Sequence, residues 1–232
     1  MMGYRAANPM TPRDFIAQVV HLYQEARRPL YPHPRISRGV SRAIASQAED
    51  LLAFYLIDQL APDTTILVNQ TITPATGQPR QRIKPDLAIV KEGAIKAIVD
   101  LKMDLGWMRK EFLGYWREWE QRIPQLRSRE FRLHRKDGAS NARESLTFSS
   151  QARLFFVLVS DTNMKQAQLR EIEAKRRKKS EYSNLLILSS RMHPNDPSTF
   201  GMSVEEVLDR IRINDKEFER WVDAVRGASL GQ

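Results

Sequence analysis

Two short stretches of this sequence carry residue types that do chemistry together: Pro85-Asp86, and Asp100-Leu101-Lys102 fourteen residues further on. A pair of carboxylates offers hard oxygen ligands to a divalent cation such as Mg²⁺, which keeps waters of its own and takes phosphate oxygens as further ligands. A cation held there generates hydroxide from water and stabilises the charge that develops on a phosphate under attack. A lysine beside it steadies the pentacovalent phosphate or orients the attacking water. Two carboxylates and one lysine on a single patch are thus what metal-dependent phosphodiester hydrolysis requires, provided the fold brings them together.

The elements around them are legible from periodicity. Residues 94–104 (AIKAIVDLKMD) alternate as a strand, with Ile95, Ala97, Val99, Leu101 and Met103 on one face and Lys96, Ile98, Asp100, Lys102 and Asp104 on the other. Residues 82–90 (RIKPDLAIV) form the preceding strand, and the Glu92-Gly93 turn makes the two an antiparallel hairpin. Asp86 and Asp100 each lie seven residues from Gly93, so pairing sets them side by side. A strand at 65–73 (TILVNQTIT) completes a meander, broken by Pro74, Gly77 and Pro79. Buried strands follow at 153–160 and 184–190, which makes 94–104 central. Charges on its inner face are costly unless partnered. Gly106 and Trp107 mark the end of that strand, so Asp104 reads as a surface residue.

Helices flank these strands. The first starts after Thr11-Pro12, with Thr11 as N-cap, and ends at Pro29, Pro32 and Pro34. A second spans about 37–60, stopped by Pro62. A third covers roughly 107–122, ended by Pro124, and 122–143 reads as an irregular basic segment. A charged helix occupies 164–179, and a last one starts at Ser203, with Glu206 completing a capping box, and runs to about 225. The order predicts an α/β fold with a central mixed β-sheet flanked by helices.

Pro85-Asp86 and Asp100-Leu101-Lys102, on those strands, resemble the PD-(D/E)xK signature of the restriction-endonuclease-like nucleases. The resemblance implies a restriction-endonuclease-like core of helix, three-strand meander, helix and strand, matching the order from Ser37 to Ser160. It implies an acidic residue on the helix before the meander. Glu49 fits, flanked by Ala45, Ser46, Leu52 and Ala53, with Asp50 the weaker choice. By resemblance Asp86, Asp100 and Glu49 bind the metal, Mg²⁺ with Mn²⁺ as a substitute, and Lys102 assists the nucleophile. The expected activity is an Mg²⁺-dependent endodeoxyribonuclease with 5′-phosphate products. The compact size is most like a type II restriction endonuclease, a homodimer on double-stranded DNA with a cognate DNA methyltransferase encoded nearby. Repair, recombination, phage or mobile-element nucleases of the same fold, an RNA target, a non-catalytic DNA-binding module and a basic scaffold remain alternatives.

Composition supports a polyanionic partner. The 232 residues hold 37 Lys and Arg against 28 Asp and Glu, a net charge of +9. DNA-contact candidates are Arg38 and Arg42, with Arg35 beside them; Lys110 and Arg117 on the third helix, with Arg122; and Arg127, Arg129, Arg132, Arg135 and Lys136 in the basic segment. The run from Lys175 to Lys179 reads equally as a phosphate contact or a solvated helix end. Trp116 and Trp119 read as core. The chain has no cysteine, which excludes disulfides, Cys-ligated zinc, iron–sulfur clusters and thiol nucleophiles. His21, His33, His134 and His193 are scattered, and no GxxxxGK[ST] or GxSxG motif is present. Apolar residues make up 41%, no apolar run approaches a membrane span and the N-terminus lacks a signal-peptide core, so a cytoplasmic location is expected. The length suits a single domain over 1–232: a helical extension at 1–36, the catalytic core at 37–190 and a helical segment at 191–232.

Overall fold

The computed structural model describes residues 9–31, 33–38, 40–75, 82–137, 140–178 and 180–230. Gly77, Pro79 and Lys179 lie outside the described residues, as do the side chains of Trp107, His134, Arg135 and Lys136. The elements in chain order are α1 (Pro12–Arg27), α2 (Ala45–Ile57), β1 (Thr64–Val68), β2 (Ile72–Pro74), β3 (Leu87–Lys91), β4 (Ala94–Lys102), α3 (Phe112–Leu126), β5 (Glu130–Asp137), β6 (Ser140–Ser160), α4 (Gln166–Arg177), β7 (Ser183–Ser190), α5 (Val204–Leu208), β8 (Arg212–Ile213) and α6 (Asp215–Leu230). A single mixed sheet runs β1-β3-β4-β6-β5-β2, with β7 on β6 and β8 on β7. The chain is thus α/β, a mixed sheet between two helical layers. Among the described residues, no helix is long and apolar enough to cross a membrane.

The alternation of β4 builds the two layers. Ala97, Val99 and Leu101 face a core made with α1, α2, α5 and α6, whereas Ile98 faces a second core under α3 and α4. Ile95 belongs to the second core and not, as strict alternation predicts, with Ala97. The pairing with β3 and with β6 shifts register between Ile95 and Ala97, so Lys96 is an extra residue that reverses the facing of everything before it.

β6 spans 21 residues and does two jobs. Its first part pairs antiparallel with β5, and its second pairs in parallel with β4 and β7. The segment read as irregular at 122–143 is therefore largely strand, because β6 offers it a free edge. β1 and β2 sit at opposite ends of the strand order, yet only residues 69–71 separate them. So short a link spans at most about 14 Å, so the sheet must curl back on itself.

Other boundaries also moved. The second helix begins at Ala45, not Ser37, because the Arg42 N–H is engaged elsewhere, donating to the Ala26 carbonyl at 3.0 Å. The strand read at 65–73 splits into β1 and β2 at Asn69, whose φ of 54° breaks the extended chain. A 3₁₀ turn, Gly106–Lys110, precedes α3, which carries Pro124 inside its last turn. The last helix divides into α5 and α6 because Arg212 and Ile213 pair with the end of β7. The capping boxes at Thr11 and Ser203 form as the sequence predicts.

The terminal segments are structural parts of one core. Phe15 of α1, Tyr55 of α2 and Phe218 of α6 meet ring to ring at 5.3–5.8 Å, and Trp221 stacks on Tyr55. Phe15 is fully buried. Phe15→Ala should therefore cost about 3–5 kcal/mol, measured as a lowered urea midpoint at unchanged slope; a loss below about 1 kcal/mol would show that α1 is a dispensable extension.

Candidate active site

Asp100 sits near the carboxyl end of β4, a strand flanked by β3 on one side and β6 on the other. Its side chain faces α3 and is buried, with 9% of the residue exposed. Leu87 pairs with Val99, so Asp86, one residue before β3, falls opposite Asp100; the extra residue at Lys96 sets this register, since the pairing of Lys91 with Ala94 at the turn would oppose Asp86 to Val99. Asp86 Oδ2 accepts a 2.6 Å hydrogen bond from the Leu101 N–H. That bond continues the β3–β4 ladder with a side chain in place of a carbonyl.

Lys102 lies between the two carboxylates. Its ammonium pairs with Asp100 Oδ1 and stands 4.0 Å from Asp86 Oδ2. It also donates to the Leu101 carbonyl at 3.4 Å. Tyr115, from the first turn of α3, donates its hydroxyl to Asp100 Oδ2 at 2.6 Å. Asp100 is thus held at both oxygens, by the lysine on one and the tyrosine on the other.

Glu49 is buried on α2 with 8% exposure. It accepts a 3.1 Å hydrogen bond from the Asn69 side-chain amide. Asn69 also donates its backbone N–H to the Asp86 carbonyl at 2.8 Å. One residue in the left-handed region, which asparagine tolerates, thus ties α2 to the entry of β3. Burial, with the charges of Asp86 and Asp50, raises the Glu49 pKa above its ordinary value. Burial first, then the Asp100 charge, raises that of Asp86, while Lys102 and the Leu101 N–H pull it down. Burial and the Asp100 charge likewise raise the Tyr115 hydroxyl, keeping it a donor.

All four residues read from the sequence occupy this corner of the fold. Among the described residues, no three carboxylate or imidazole side chains gather closely enough to ligate one ion by themselves. What surrounds the Lys102 ammonium is two carboxylates and one carbonyl oxygen. That donor set fits a hard cation such as Mg²⁺, which binds through one or two carboxylates and fills its remaining positions with water and phosphate.

Tyr115, Asn69 and Lys84 escaped the sequence reading. Lys84 is exposed and lowers the pKa of both Glu49 and Asp86 by its charge. Tyr115 stands among Trp116 and Trp119 in a stretch that reads as apolar packing. Trp116 does pack, with its indole N–H on Ser183. Trp119 is partly buried under the Arg122 guanidinium, 5.0 Å away.

Several of the basic candidates are tied into the fold, and others stand at the surface. The Arg127 guanidinium donates to the Ala152 and Glu181 carbonyls and lies over the Tyr182 ring. Arg122 donates to the Arg82 carbonyl. Lys175 pairs with Glu120, and Arg176 with Glu173 and Glu217, so those two members of the 175–179 run serve the fold. Lys110, Arg117, Arg129 and Arg132 are exposed. Arg129 and Arg132, with Arg135 and Lys136 on β5, belong to the hairpin that joins the sheet near Ala94, at the far end of β4 from Asp100. Asp104, which reads as surface, is instead half-buried against the loop after β7. Its Oδ2 lies 3.0 Å from His193 Nε2 and accepts from Asn163 at 2.7 Å, and these bonds lower its pKa.

Comparison with models of known families, with curated proteins and with solved structures finds no match to this chain.

The raised pKa of Asp86 has a consequence for stability. The folded state holds that proton more tightly than the unfolded chain, so stability falls as pH rises from 3.8 through the folded value, and the full penalty stands above it. Asp86→Asn removes the penalty and should raise Tm in EDTA at neutral pH, by about 2–4 °C per kcal/mol relieved. The gain over wild type should shrink as pH falls toward 4; a thermal series in which Asp86→Asn melts lower at pH 7 would contradict this. Tyr115→Phe should do the reverse, costing about 1.5–3 kcal/mol in urea titrations because a buried carboxylate loses its donor.

Proposed function

We propose that the chain is an Mg²⁺-dependent endodeoxyribonuclease with a restriction-endonuclease-like core. The observation that carries the reading is the convergence of Asp86 and Asp100 about the Lys102 ammonium at the carboxyl end of β4. Burial of a carboxylate costs free energy, and a like charge on the neighbouring strand adds to the cost; both push the Asp86 pKa up. A fold keeps such a pair where a cation is to be held. Two further features support it: the fourteen-residue step between Asp86 and Asp100 on paired strands, and the net charge of +9, which favours a polyanionic substrate.

Asp86 and Asp100 would hold the ion with the Leu101 carbonyl. When bound, the ion supplies a Lewis acid for a phosphate oxygen and a more acidic water. The protein's own groups do the rest. Tyr115 fixes the Asp100 carboxylate through Oδ2 and leaves Oδ1 facing the site. Lys102, which here neutralises both carboxylates, would be the positive group left for the substrate wherever a cation shared their charge. Its ammonium is then free to meet a phosphate oxygen or the attacking water. Glu49, held by Asn69, lies on the Asp86 side and keeps that flank negative. Within this reading the role proposed is that of a type II restriction enzyme, working as a homodimer with a methyltransferase partner.

The test is purified protein with unmethylated phage DNA in Mg²⁺, or in Mn²⁺, against EDTA. Discrete fragments are expected, absent in EDTA and with Asp100→Ala. Lys102→Ala should slow cleavage by about 10²–10³-fold, the loss typical of one charge-stabilising donor. Metal-dependent smearing would keep the chemistry and move the role to repair or degradation. Metal-independent cleavage, or full activity in Asp100→Ala, would sink the assignment.

A further inference from the structure

The segment joining α1 to α2 is a closed loop with an unusual surface. Its neck is tied by the Arg42 N–H on the Ala26 carbonyl at 3.0 Å and by the Arg42 guanidinium on the Glu25 carbonyl at 2.9 Å. Asn195 braces the neck from outside, its Oδ1 accepting from Arg27 at 2.9 Å and from Ser41 at 3.4 Å. Residues 28–41 contain Arg28, Arg35 and Arg38 and no acidic residue. Arg28 is paired with Glu25. Arg35 and Arg38 are exposed and have no side-chain partner among the described residues. Between them and around them stand exposed apolar groups: Leu30, Tyr31, Ile36 and Val40, with Tyr31 and Val40 each 79% exposed.

A loop of this length without regular structure is uncommon in a compact domain unless it has a use. Pro29 and Pro34 limit its freedom, and the His33 ring accepts from the Arg35 N–H at 3.1 Å, so part of the ordering cost is met before any partner arrives. Its location is also informative. Asn195 donates its N–H to His193 Nδ1 at 2.9 Å, and His193 Nε2 meets Asp104, two residues past the end of β4. The neck of the loop is therefore fastened to the same corner from which β4 presents Asp100 and Lys102.

We propose that residues 28–41 are a DNA-contacting arm: Arg35 and Arg38 neutralise backbone phosphates of a duplex, and Tyr31 lies against its sugars. This rests on the reading of the chain as a DNA enzyme and assigns Arg42 to the neck, not to the contact. A second copy of the chain is the poorer occupant, because two such loops would bring four unpaired guanidinium groups together. The aromatic and apolar side chains among the arginines suit a nucleic-acid groove, where phosphates flank sugar and base surfaces.

The test is equilibrium binding of a fluorescein-labelled duplex in EDTA over a salt series, comparing wild type with Arg35→Gln/Arg38→Gln and with Tyr31→Ser. Each phosphate contact contributes about −0.9 to the slope of log K against log salt, so the double variant should lose about 2 from that slope and bind roughly tenfold or more weakly at low salt. Tyr31→Ser should weaken binding at unchanged slope. All three side chains are exposed, so an unchanged Tm is expected. Affinity and slope equal to wild type overturn the arm, as does a variant that changes only the oligomeric state on size exclusion. A wild type that binds no duplex overturns it too. EDTA keeps the two readings apart: a wild type that binds through the arm but never cleaves in Mg²⁺ sinks the nuclease and leaves the arm.

Discussion

A carboxylate near the end of an inner strand must be compensated by its immediate neighbours, because water reaches it poorly and the sheet offers only backbone. In this protein that constraint falls on Asp100, and two elements answer it while a third adds to it. β4 itself supplies Lys102, α3 supplies the Tyr115 hydroxyl, and the turn into β3 supplies a second carboxylate that the same lysine must serve. The arrangement is underdetermined in charge: one ammonium lies between two carboxylates, with Glu49 nearby and Lys84 more exposed. An unbalanced corner of this kind costs stability in the isolated protein.

The sheet makes the corner possible by joining two kinds of pairing at β4. On one side the hairpin with β3 is antiparallel, which brings Asp86 opposite Asp100 across a short turn. On the other side β6 runs parallel, so the ends of β4, β6 and β7 emerge together. Loops leaving those ends carry Asp104, Asn163 and His193, which bond to one another. Through Asn195, His193 links them to the neck of the loop at 28–41. The carboxyl ends of parallel strands are where open α/β sheets place ligands, and here the charged side chains gather at that edge.

The helical layers have unequal duties. α1, α2, α5 and α6 share an aromatic core that makes the two ends of the chain one structure. α3 carries one polar group to the site, Tyr115, and otherwise packs through Phe112 and Trp116 on Phe156. Lys175 and Arg176 are spent on ion pairs, with Glu120 of α3, with Glu173 and with Glu217 of α6, which fix α4 to its neighbours. The net charge of the chain therefore overstates the cations free to meet a ligand.

The sequence by itself determined what depends on local order. The Glu92-Gly93 turn made β3 and β4 a hairpin, although the extra residue at Lys96 and not the turn's own register set Asp86 opposite Asp100, and the capping boxes at Thr11 and Ser203 formed because their partners are three residues away. The two-layered mixed sheet followed from the alternation of β4 and the apolar runs of β6 and β7. Only the tertiary structure decided what depends on distant surfaces. The bulge at Lys96 turned Ile95 to the other core, because strand pairing on both sides shifts there. Residues 130–137 became a strand because β6 had an edge to pair, and Arg127 was drawn into carbonyls that no local pattern announces. Tyr115 and Asn69 joined the site through contacts spanning 15 and 20 residues. A side chain's partner across the fold leaves no period in the sequence, so its role appears only when the chain has closed around it.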